Sequence, residues 1–239
     1  MPLDAITVAS RVMADDLFRL NVVSQNLANG GTAGYKKELV AARPFLDYLE
    51  TGELRVPVSV PVLTSVLDMR QGTLTRTGNA LDVALEAPGF FEVVGSDGPL
   101  YTRMGTFRLD DTGRLVTQAG VPVNGVNGEI LLNGVSPRID RQGRVFEGEN
   151  AVAQLKVVRF TSPAALTPLG GGLYRAAAPG EVVTDALQIR QGFVESSNVE
   201  ALPEMLRIVE LVRRFESAQR ILQNYDGMLG GAIQKLGEF

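Results

Sequence analysis

The pattern of apolar residues divides the chain into helical repeats at both ends and strand-like alternation between them. At each end apolar residues recur at intervals of seven, often with another three positions further on, and this spacing places them on one stripe of a helix. The two stripes comprise Ile6, Met13, Leu20 and Leu27, with Ala9 and Val23, and then Ile208, Leu211, Phe215, Ala218, Leu222, Tyr225, Leu229, Ala232 and Leu236. Each stripe needs an apolar cover, and the opposite end of the chain is the obvious candidate.

Glycine and proline set the expected limits of the two helices. The first covers residues 3 to about 28, because Gly30 and two further glycines follow, and each would cost a helix roughly 1 kcal/mol relative to alanine. The second begins near Pro203, since proline suits the first turn and costs about 3 kcal/mol deeper inside. Ser197 and Glu200 have the spacing of a capping box and give an alternative start.

Between residues 67 and about 190 the period changes to two, which predicts β-strands. Leu81, Val83 and Leu85 alternate along one strand, and short turn signals follow at close intervals. The turn signals are Asp97-Gly98, Thr112-Gly113, Ala119-Gly120, Asn124-Gly125, Asn127-Gly128, Asn133-Gly134 and Gln142-Gly143. Asparagine and glycine tolerate the positive φ of tight turns, so an antiparallel meander of short hairpins is expected.

The predicted fold class is therefore α+β, with a discontinuous, coiled-coil-like helical domain from both termini and a β-rich middle domain. The expected domain limits are 1–35 with 195–239 for the helical domain and 67–194 for the β-rich domain. Residues 36–66 are expected to form an extended linker, because Pro57 and Pro61 remove backbone donors that a central strand needs.

Composition excludes several kinds of chemistry. The chain has 239 residues, a formal charge of −4, and no Cys or His. It therefore has no Ser-His-Asp triad, no cysteine nucleophile, and no thiolate or imidazole for a metal, and we expect neither a cofactor nor catalysis. The charge gives no basic field for nucleic acid. Neither a membrane span nor a cleaved signal peptide is visible in the sequence, so membrane insertion is not expected.

Two features of the sequence, its acidic pairs and its terminal stripes, allow a competing interpretation. Asp110 with Asp111, or Glu147 with Glu149, could act as a glycosidase pair, although Asp110 and Asp111 adjoin a turn signal and solvated turn residues are the commoner case. The terminal stripes could be the ordinary core of a two-helix hairpin. Their length, about four heptads in the second helix, favours packing between molecules instead.

Three ordered blocks of sequence resemble the bacterial flagellar rod and hook proteins. The first block contains Asn26, Leu27, Ala28, Asn29, Gly34 and Tyr35, and the last contains Ser197, Asn198 and Val199. The middle block runs from Gly78 through Leu85 to Gly89-Phe90-Phe91 and Tyr101-Thr102-Arg103. Because the blocks span nearly the whole chain in order, it is identified as a member of this family, and its short length favours a proximal rod protein over the longer distal rod and hook proteins.

The resemblance implies a structural role. Such proteins leave the cytoplasm through the flagellar type III export apparatus and stack helically, with copies of themselves and other rod proteins, in the periplasmic rod of the basal body. The rod transmits motor torque to the hook and filament. Two alternatives stay open: a distal rod subunit, and a secreted β-rich binding or carbohydrate-active protein with a helical oligomerisation stalk.

Overall fold

A computed structural model describes residues 2–43, 62–134, 137–162, 166–183 and 187–237. Two long helices lie near its ends, α1 (Pro2–Ala28) and α2 (Ala201–Gly237). Short strands lie between them: β1 Glu38–Arg43, β2 Val62–Leu67, β3 Leu74–Arg76, β4 Val83–Leu85, β5 Phe90–Gly95, β6 Gly98–Thr102, β7 Phe107–Leu109, β8 Leu115–Thr117, β9 Asn124–Gly125, β10 Gly128–Glu129, β11 Arg138–Ile139, β12 Arg144–Glu147, β13 Asn150–Gln154, β14 Val157–Arg159, β15 Leu166–Gly170, β16 Leu173–Ala176, β17 Glu181–Val182, β18 Ile189–Gln191 and β19 Phe193–Glu195.

The predicted α+β class is confirmed, and so are the inner ends of both helices. α1 stops at Ala28, just before the glycines, and α2 begins at Ala201, so that Pro203 lies in its first turn. Proline is tolerated there because the first backbone N–H groups of a helix have no intrahelical acceptor. The described residues contain no helix that is both long enough and apolar enough to cross a membrane.

The largest sheet is six-stranded and entirely antiparallel, in the order β15-β16-β6-β5-β14-β17. β5 and β6 form its central hairpin, which turns at the predicted Asp97-Gly98 signal, where Gly98 has a φ of 126°. Sequence reasoning also expected Asn124-Gly125 to turn, but these residues form β9. A side chain at Gly125 would lie 2.8 Å from the carbonyl oxygen of Gln154, so glycine permits a close approach of two backbones there.

Within the middle unit, strands of the six-stranded sheet and of smaller sheets contribute to one hydrophobic core. Phe91 and Phe107 meet edge to face at its centre, with their ring centroids 5.3 Å apart. The buried members of this core are Val83, Leu85, Phe91, Val93, Phe107, Leu115, Val123, Ile130, Leu132, Ile139, Val145, Leu155, Val157, Leu187 and Ile189. A second cluster around Phe90, Tyr101 and Tyr174 packs in the same part of the chain.

The chain divides into two compact units. The terminal helical unit comprises Met1–Ala28, Glu38–Ser65 and Glu200–Phe239, and the middle unit comprises Asn29–Lys37 and Val66–Val199. The expected limits placed residues 29–35 and 195–199 with the helices, whereas both segments belong to the middle unit. Hydrogen bonds explain the difference, because the Gly34 N–H donates to the carbonyl oxygen of Glu195 at 2.7 Å.

The segment 36–66 was expected to be an extended linker, and its described parts are strands. β1 and β2 form a two-stranded sheet. Residues 44–61, including Pro57 and Pro61, lie outside the described residues.

Candidate functional site

The two terminal helices pack against each other within the helical unit. Val12 and Asp16 of α1 border the same groove as Ser217 and Ile221 of α2, whereas Asn26 borders a second groove together with Glu204. Residues early in one helix therefore lie beside residues late in the other, and the helices run antiparallel.

The predicted stripes lie on the sides of the helices that are shielded from solvent. On α2 the shielded residues are Glu204, Ile208, Leu211, Phe215, Ala218, Leu222 and Tyr225, and on α1 they include Ile6, Ala9, Met13, Leu20, Val23 and Leu27. The side chains of Leu229, Ala232 and Leu236 lie outside the described part of the chain. The stripes thus form an intramolecular seam, and their role in assembly stays a prediction.

Two acidic residues in the seam escaped sequence reasoning. Asp16 is 3% exposed and lies midway between Ala9 and Val23 at intervals of seven, and Glu204 is fully buried seven residues before Leu211. The heptad spacing was the available signal, but charged residues are normally assigned to the polar face of a helix. Glu204 also lies in the first turn of α2, where a negative charge is stabilised by the helix dipole.

A second set of apolar side chains faces solvent on the same helices. These are Val8, Val12 and Leu17 on α1, and Leu202, Met205, Leu206, Val209, Val212, Ile221 and Met228 on α2. Single exposed apolar residues are ordinary, but a contiguous group on a soluble domain marks an interaction surface. Over residues 202–212, α2 is apolar on its exposed side as well as on its seam.

An open groove of about 600 Å³ runs between the two helices. It is bordered by Val12, Asp16, Leu206, Val209, Glu210, Arg213, Arg214, Ser217, Ala218 and Ile221, and we call it the inter-helix groove. Its walls are mainly apolar, which makes it suited to a protein surface.

The family block at the end of α1 has a clear structural use. The Asn26 side chain is fully buried; its Nδ2 donates to the carbonyl oxygen of Glu38, and the Glu38 N–H donates to its Oδ1, both at 2.8 Å. An asparagine amide thus pairs with the start of β1 as another backbone segment would. Leu27 and Ala28 end the helix, and the carbonyl oxygen of Asn29 accepts the Thr32 N–H at 3.0 Å to form the following turn.

In the middle unit, three buried charges join the segment that follows α1, the residue that follows β6 and the segment that precedes α2. Glu195 Oε1 accepts Lys36 Nζ at 2.7 Å, and its Oε2 accepts Arg103 Nε at 2.6 Å. We call Lys36, Arg103 and Glu195 the junction cluster. Their side chains are at most 4% exposed, and burial lowers the pKa of Lys36 while the Glu195 carboxylate opposes that shift.

The remaining donors of the junction cluster bind backbone carbonyl groups. Arg103 donates to the carbonyl oxygens of Leu85, Ala87 and Gly89 at 2.6–2.8 Å, and Lys36 Nζ also donates to that of Arg70 at 2.6 Å. Buried ions need such partners, because an unpaired charge in a dry interior is strongly destabilising.

Other family residues surround this cluster. Gly34 has a φ of 68°, and a side chain there would lie 2.5 Å from the backbone of Arg103. Asn198 accepts the Lys37 N–H at 2.7 Å and donates to the carbonyl oxygen of Asp68 at 2.9 Å. Tyr35 is buried, and Ser197 Oγ accepts the Val199 N–H at 3.2 Å. These predicted residues therefore shape the junction.

Two of the acidic residues considered for catalysis, Asp110 and Glu147, accept hydrogen bonds in turns. Asp110 Oδ1 accepts the hydroxyl and N–H of Thr112 at 2.7 and 2.9 Å, and the hydroxyl is the main reason that its pKa lies below the usual value. Glu147 accepts the N–H groups of Gly134 and Asn133, which lower its pKa. Asp111 and Glu149 are exposed. Within the described ranges, no group of three or more acidic residues is placed to hold a metal.

Comparisons with known proteins agree with the sequence blocks. Residues 190–235 match the model of the flagellar basal body rod FlgEFG protein C-terminal region, and residues 84–147 match that of the flagellar hook protein FlgE/F/G D1 domain. The chain is similar to the flagellar basal-body rod protein FlgF of Caulobacter vibrioides, at 34% identity over 92% of both chains. It is also similar to FlgF of Rhizobium meliloti, at 31% over 92% of both, and to the rod protein FlgG of Bacillus subtilis, at 29% over 88% of this chain and 90% of that one. These matches show that the chain belongs to the flagellar basal-body rod protein family.

Proposed function

We propose that the chain is a structural subunit of the flagellar basal-body rod and that it stacks with other subunits through its terminal helices. One observation carries this proposal: α2 presents a second apolar side, with Leu202, Met205, Leu206 and Val209 each at least half exposed. Covering apolar surface contributes about 25 cal/mol per Å² before association costs are subtracted. Ten large apolar side chains on one helix pair are therefore a strong reason to associate.

In this proposal the seam joins α1 and α2 into one element, and that element makes the contacts of assembly. The residues predicted from the stripes, from Ile6 to Leu236, thus act in assembly by fixing which apolar side chains face outward. A stack of identical contacts that do not close on themselves gives an open helical assembly, which is the form a rod requires.

We assign the subunit to the proximal part of the rod, in the periplasm, where it would pass torque from the motor to the hook and filament. The short chain and its 34% identity to a FlgF protein support this position. Its partners would be copies of itself and other rod proteins, after export by the flagellar type III apparatus. We further propose that it has no catalytic activity, because one carboxylate of each candidate pair, Asp110 or Glu147, is engaged in a turn.

The seam offers a matched pair of variants to test the proposal. Leu222 is half-buried and its neighbour Gln223 is exposed. Leu222→Asp should abolish motility and incorporation into basal bodies, because a carboxylate in an apolar contact costs several kcal/mol, while the middle unit stays folded by circular dichroism. Gln223→Ala should swim normally. Equal swimming by both variants, or basal bodies that assemble without this chain, would contradict the proposal.

A further inference from the structure

Between α1 and β1 the chain leaves the helical unit for a short segment. Residues 29–37 belong to the middle unit, whereas α1 before them and β1 after them belong to the helical unit. We call residues 29–37 the strap. Its one large ring is Tyr35, which is buried, and its other residues are small or polar. The strap is therefore attached mainly through polar groups.

Three polar contacts attach the strap to the last residues of the middle unit. The Gly34 N–H donates to the carbonyl oxygen of Glu195 at 2.7 Å. Lys36 Nζ binds the Glu195 carboxylate, and the Lys37 N–H donates to Asn198 Oδ1, both at 2.7 Å. Glu195 follows Lys36 by 159 residues, so these contacts can form only when the whole middle unit is present.

Folding of the middle unit places the carboxylate that receives the strap. Glu195 is the last residue of β19, and it lies opposite Leu74 of β3. Its Oε1 also accepts the Gly72 N–H at 3.0 Å, and its Oε2 accepts Arg103 Nε. Because these partners come from distant parts of the chain, the carboxylate is in position only after those parts have come together.

We propose that the strap couples the pairing of α1 and α2 to the completion of the middle unit. When the strap is docked, residues 34 and 195 are adjacent. Residue 34 lies six residues after the end of α1, and residue 195 lies six residues before the start of α2. Docking therefore shortens the path that joins the two helices. The inference concerns a single chain and does not rest on the proposed function.

The length of that path gives the size of the effect. With the middle unit unfolded, residues 29–200 join the helices, a loop of 172 residues. With the middle unit folded and the strap free, the path is residues 29–68 and 198–200, or 43 residues, because Asn198 Nδ2 binds the carbonyl oxygen of Asp68. Docking of the strap shortens it to residues 29–34 and 195–200, which are twelve residues.

A shorter path raises the effective concentration of one helix near the other. This concentration scales as roughly the −3/2 power of loop length. Docking of the strap on the folded middle unit therefore raises it about sevenfold, and folding together with docking raises it about fiftyfold. The helices thus gain their closest connection only as the last step.

A disulfide across the inter-helix groove measures this effective concentration, because the chain contains no cysteine of its own. Val12 and Ile221 border the groove from the two helices, and both are exposed, so Val12→Cys and Ile221→Cys leave the seam intact. The ratio of oxidised to reduced pair in a glutathione buffer, with the protein dilute and monomeric, reports the effective concentration.

Two glycines of the strap provide a matched pair of variants. Gly34 has a φ of 68°, and an added Cβ would lie 2.5 Å from the backbone of Arg103, so Gly34→Ala should undock the strap. An added Cβ at Gly31 meets no atom within 4 Å. Gly34→Ala should lower the effective concentration about sevenfold, whereas Gly31→Ala should change it by less than about twofold. Equal values for the two variants would overturn the proposal.

Hydrogen exchange in the same variants reports whether the middle unit stays folded. Amides of β5 and β6 should keep their wild-type protection in Gly34→Ala. If they lose it, the strap is part of the core of the middle unit and the proposed coupling is wrong. Lys36→Met is a second variant, because it leaves Arg103 and Glu195 as a balanced buried pair. It should lower the effective concentration in the same direction, and no change in a folded protein would contradict the role of Lys36.

The order of opening in the wild-type monomer gives an independent check. The strap should stay docked when the helices separate, because its contacts lie within the middle unit. The amides of Gly34 and Lys37 should therefore exchange more slowly than those of α1. Faster exchange in the strap than in α1 would show that the helices pair without it and would overturn the proposal.

Discussion

The middle unit and the terminal helical unit differ in how completely they bury their apolar side chains. The middle unit encloses a core in which Val83, Phe91, Val93 and Val145 have no exposed surface, and each charge of its junction cluster is paired. In the described part of the helical unit, the buried apolar residues are Val22, Val23, Leu211 and Ala218. Most of the seam is only half-buried, and ten large apolar residues of α1 and α2 face solvent.

We propose that this contrast separates a unit that is complete in one chain from a unit that is completed by neighbours. Antiparallel strands satisfy their backbone groups and their core within the middle unit. Two helices alone cannot enclose a core, because each covers only one side of the other. We therefore expect the stability of the helical unit to depend on what packs against its outward side.

The largest expected effect is in hydrogen exchange. In a dilute monomer, amides of β5, β6 and β14 should exchange only through global unfolding, while those of α1 and α2 open locally at little cost. We expect exchange in the strands to be about a thousandfold slower, corresponding to about 4 kcal/mol. Mass spectrometry of peptides from both units measures this ratio. Equal protection of helices and strands in the monomer would remove the contrast.

The next effect concerns the junction cluster. Glu195→Gln leaves two buried cations without a counter-ion and should lower the free energy of unfolding of the middle unit by about 3–5 kcal/mol. Glu86→Gln breaks a pair with Arg190 that is partly exposed and should cost less than about 1 kcal/mol. Urea unfolding followed by the near-ultraviolet dichroism of tyrosine reports both values.

A second change distinguishes charge from packing at the same position. Lys36→Met in the Glu195→Gln protein removes one of the two unpaired cations and should recover part of the lost stability. If Lys36→Met instead lowers the free energy of unfolding again, by as much as Glu195→Gln did, then the packing of the Lys36 side chain matters and its charge does not.

The third prediction applies one substitution to both units. Phe107 is 2% exposed, and Phe107→Ala should cost about 3–5 kcal/mol of unfolding free energy in the middle unit. Phe215 is half-buried in the seam, and Phe215→Ala should leave middle-unit unfolding within about 0.5 kcal/mol of wild type, since it belongs to the other unit. It should impair motility instead. Similar unfolding curves for the two variants would contradict the division into units.

Residue spacing and the positions of glycine and proline were enough to predict the helices and many of the turns. Seven-residue spacing gave both stripes, and glycine and proline gave the ends at Ala28 and Ala201. The pairing of strands could not be predicted in this way. β6 lies between β5, its hairpin partner, and β16, about seventy residues later, and nothing in the pattern of either strand specifies that distant register.

The sequence predicted only the apolar part of the candidate site, which is the two stripes of α1 and α2. Asp16 and Glu204 occupy heptad positions, but the stripes were drawn from apolar residues and left them out. The second apolar side of α2 was missed because Leu202, Met205 and Val212 lie off the strongest repeat. The junction cluster joins residues 36, 103 and 195, and such a distant charge pairing leaves no local signal.

One missed feature was visible in the sequence as a repeat of Asp-x-x-Gly-Arg thirty residues apart. Asp110 and Asp140 each accept the N–H groups two and four residues later through Oδ1, and each binds the Nε of the arginine four residues later through Oδ2. Gly113 and Gly143 have φ values of 79° and 76° in these turns. The two turns differ in one donor, because the Thr112 hydroxyl binds Asp110 and Gln142 has no hydroxyl.

The smallest expected effect is the response of the Asp110 turn to acid. The pKa of Asp110 in the folded chain lies below its ordinary value of 3.8, chiefly because of the Thr112 hydroxyl, so the unfolded chain binds more protons in acid. The stabilising contribution is then complete above about pH 4 and is lost as the pH falls. Asp110→Asn should therefore flatten the fall in urea midpoint between pH 4 and 2.5, with Thr112→Val giving part of the same change. If the wild type and Asp110→Asn lose stability in parallel over that range, the turn carboxylate is not a source of acid sensitivity in the middle unit.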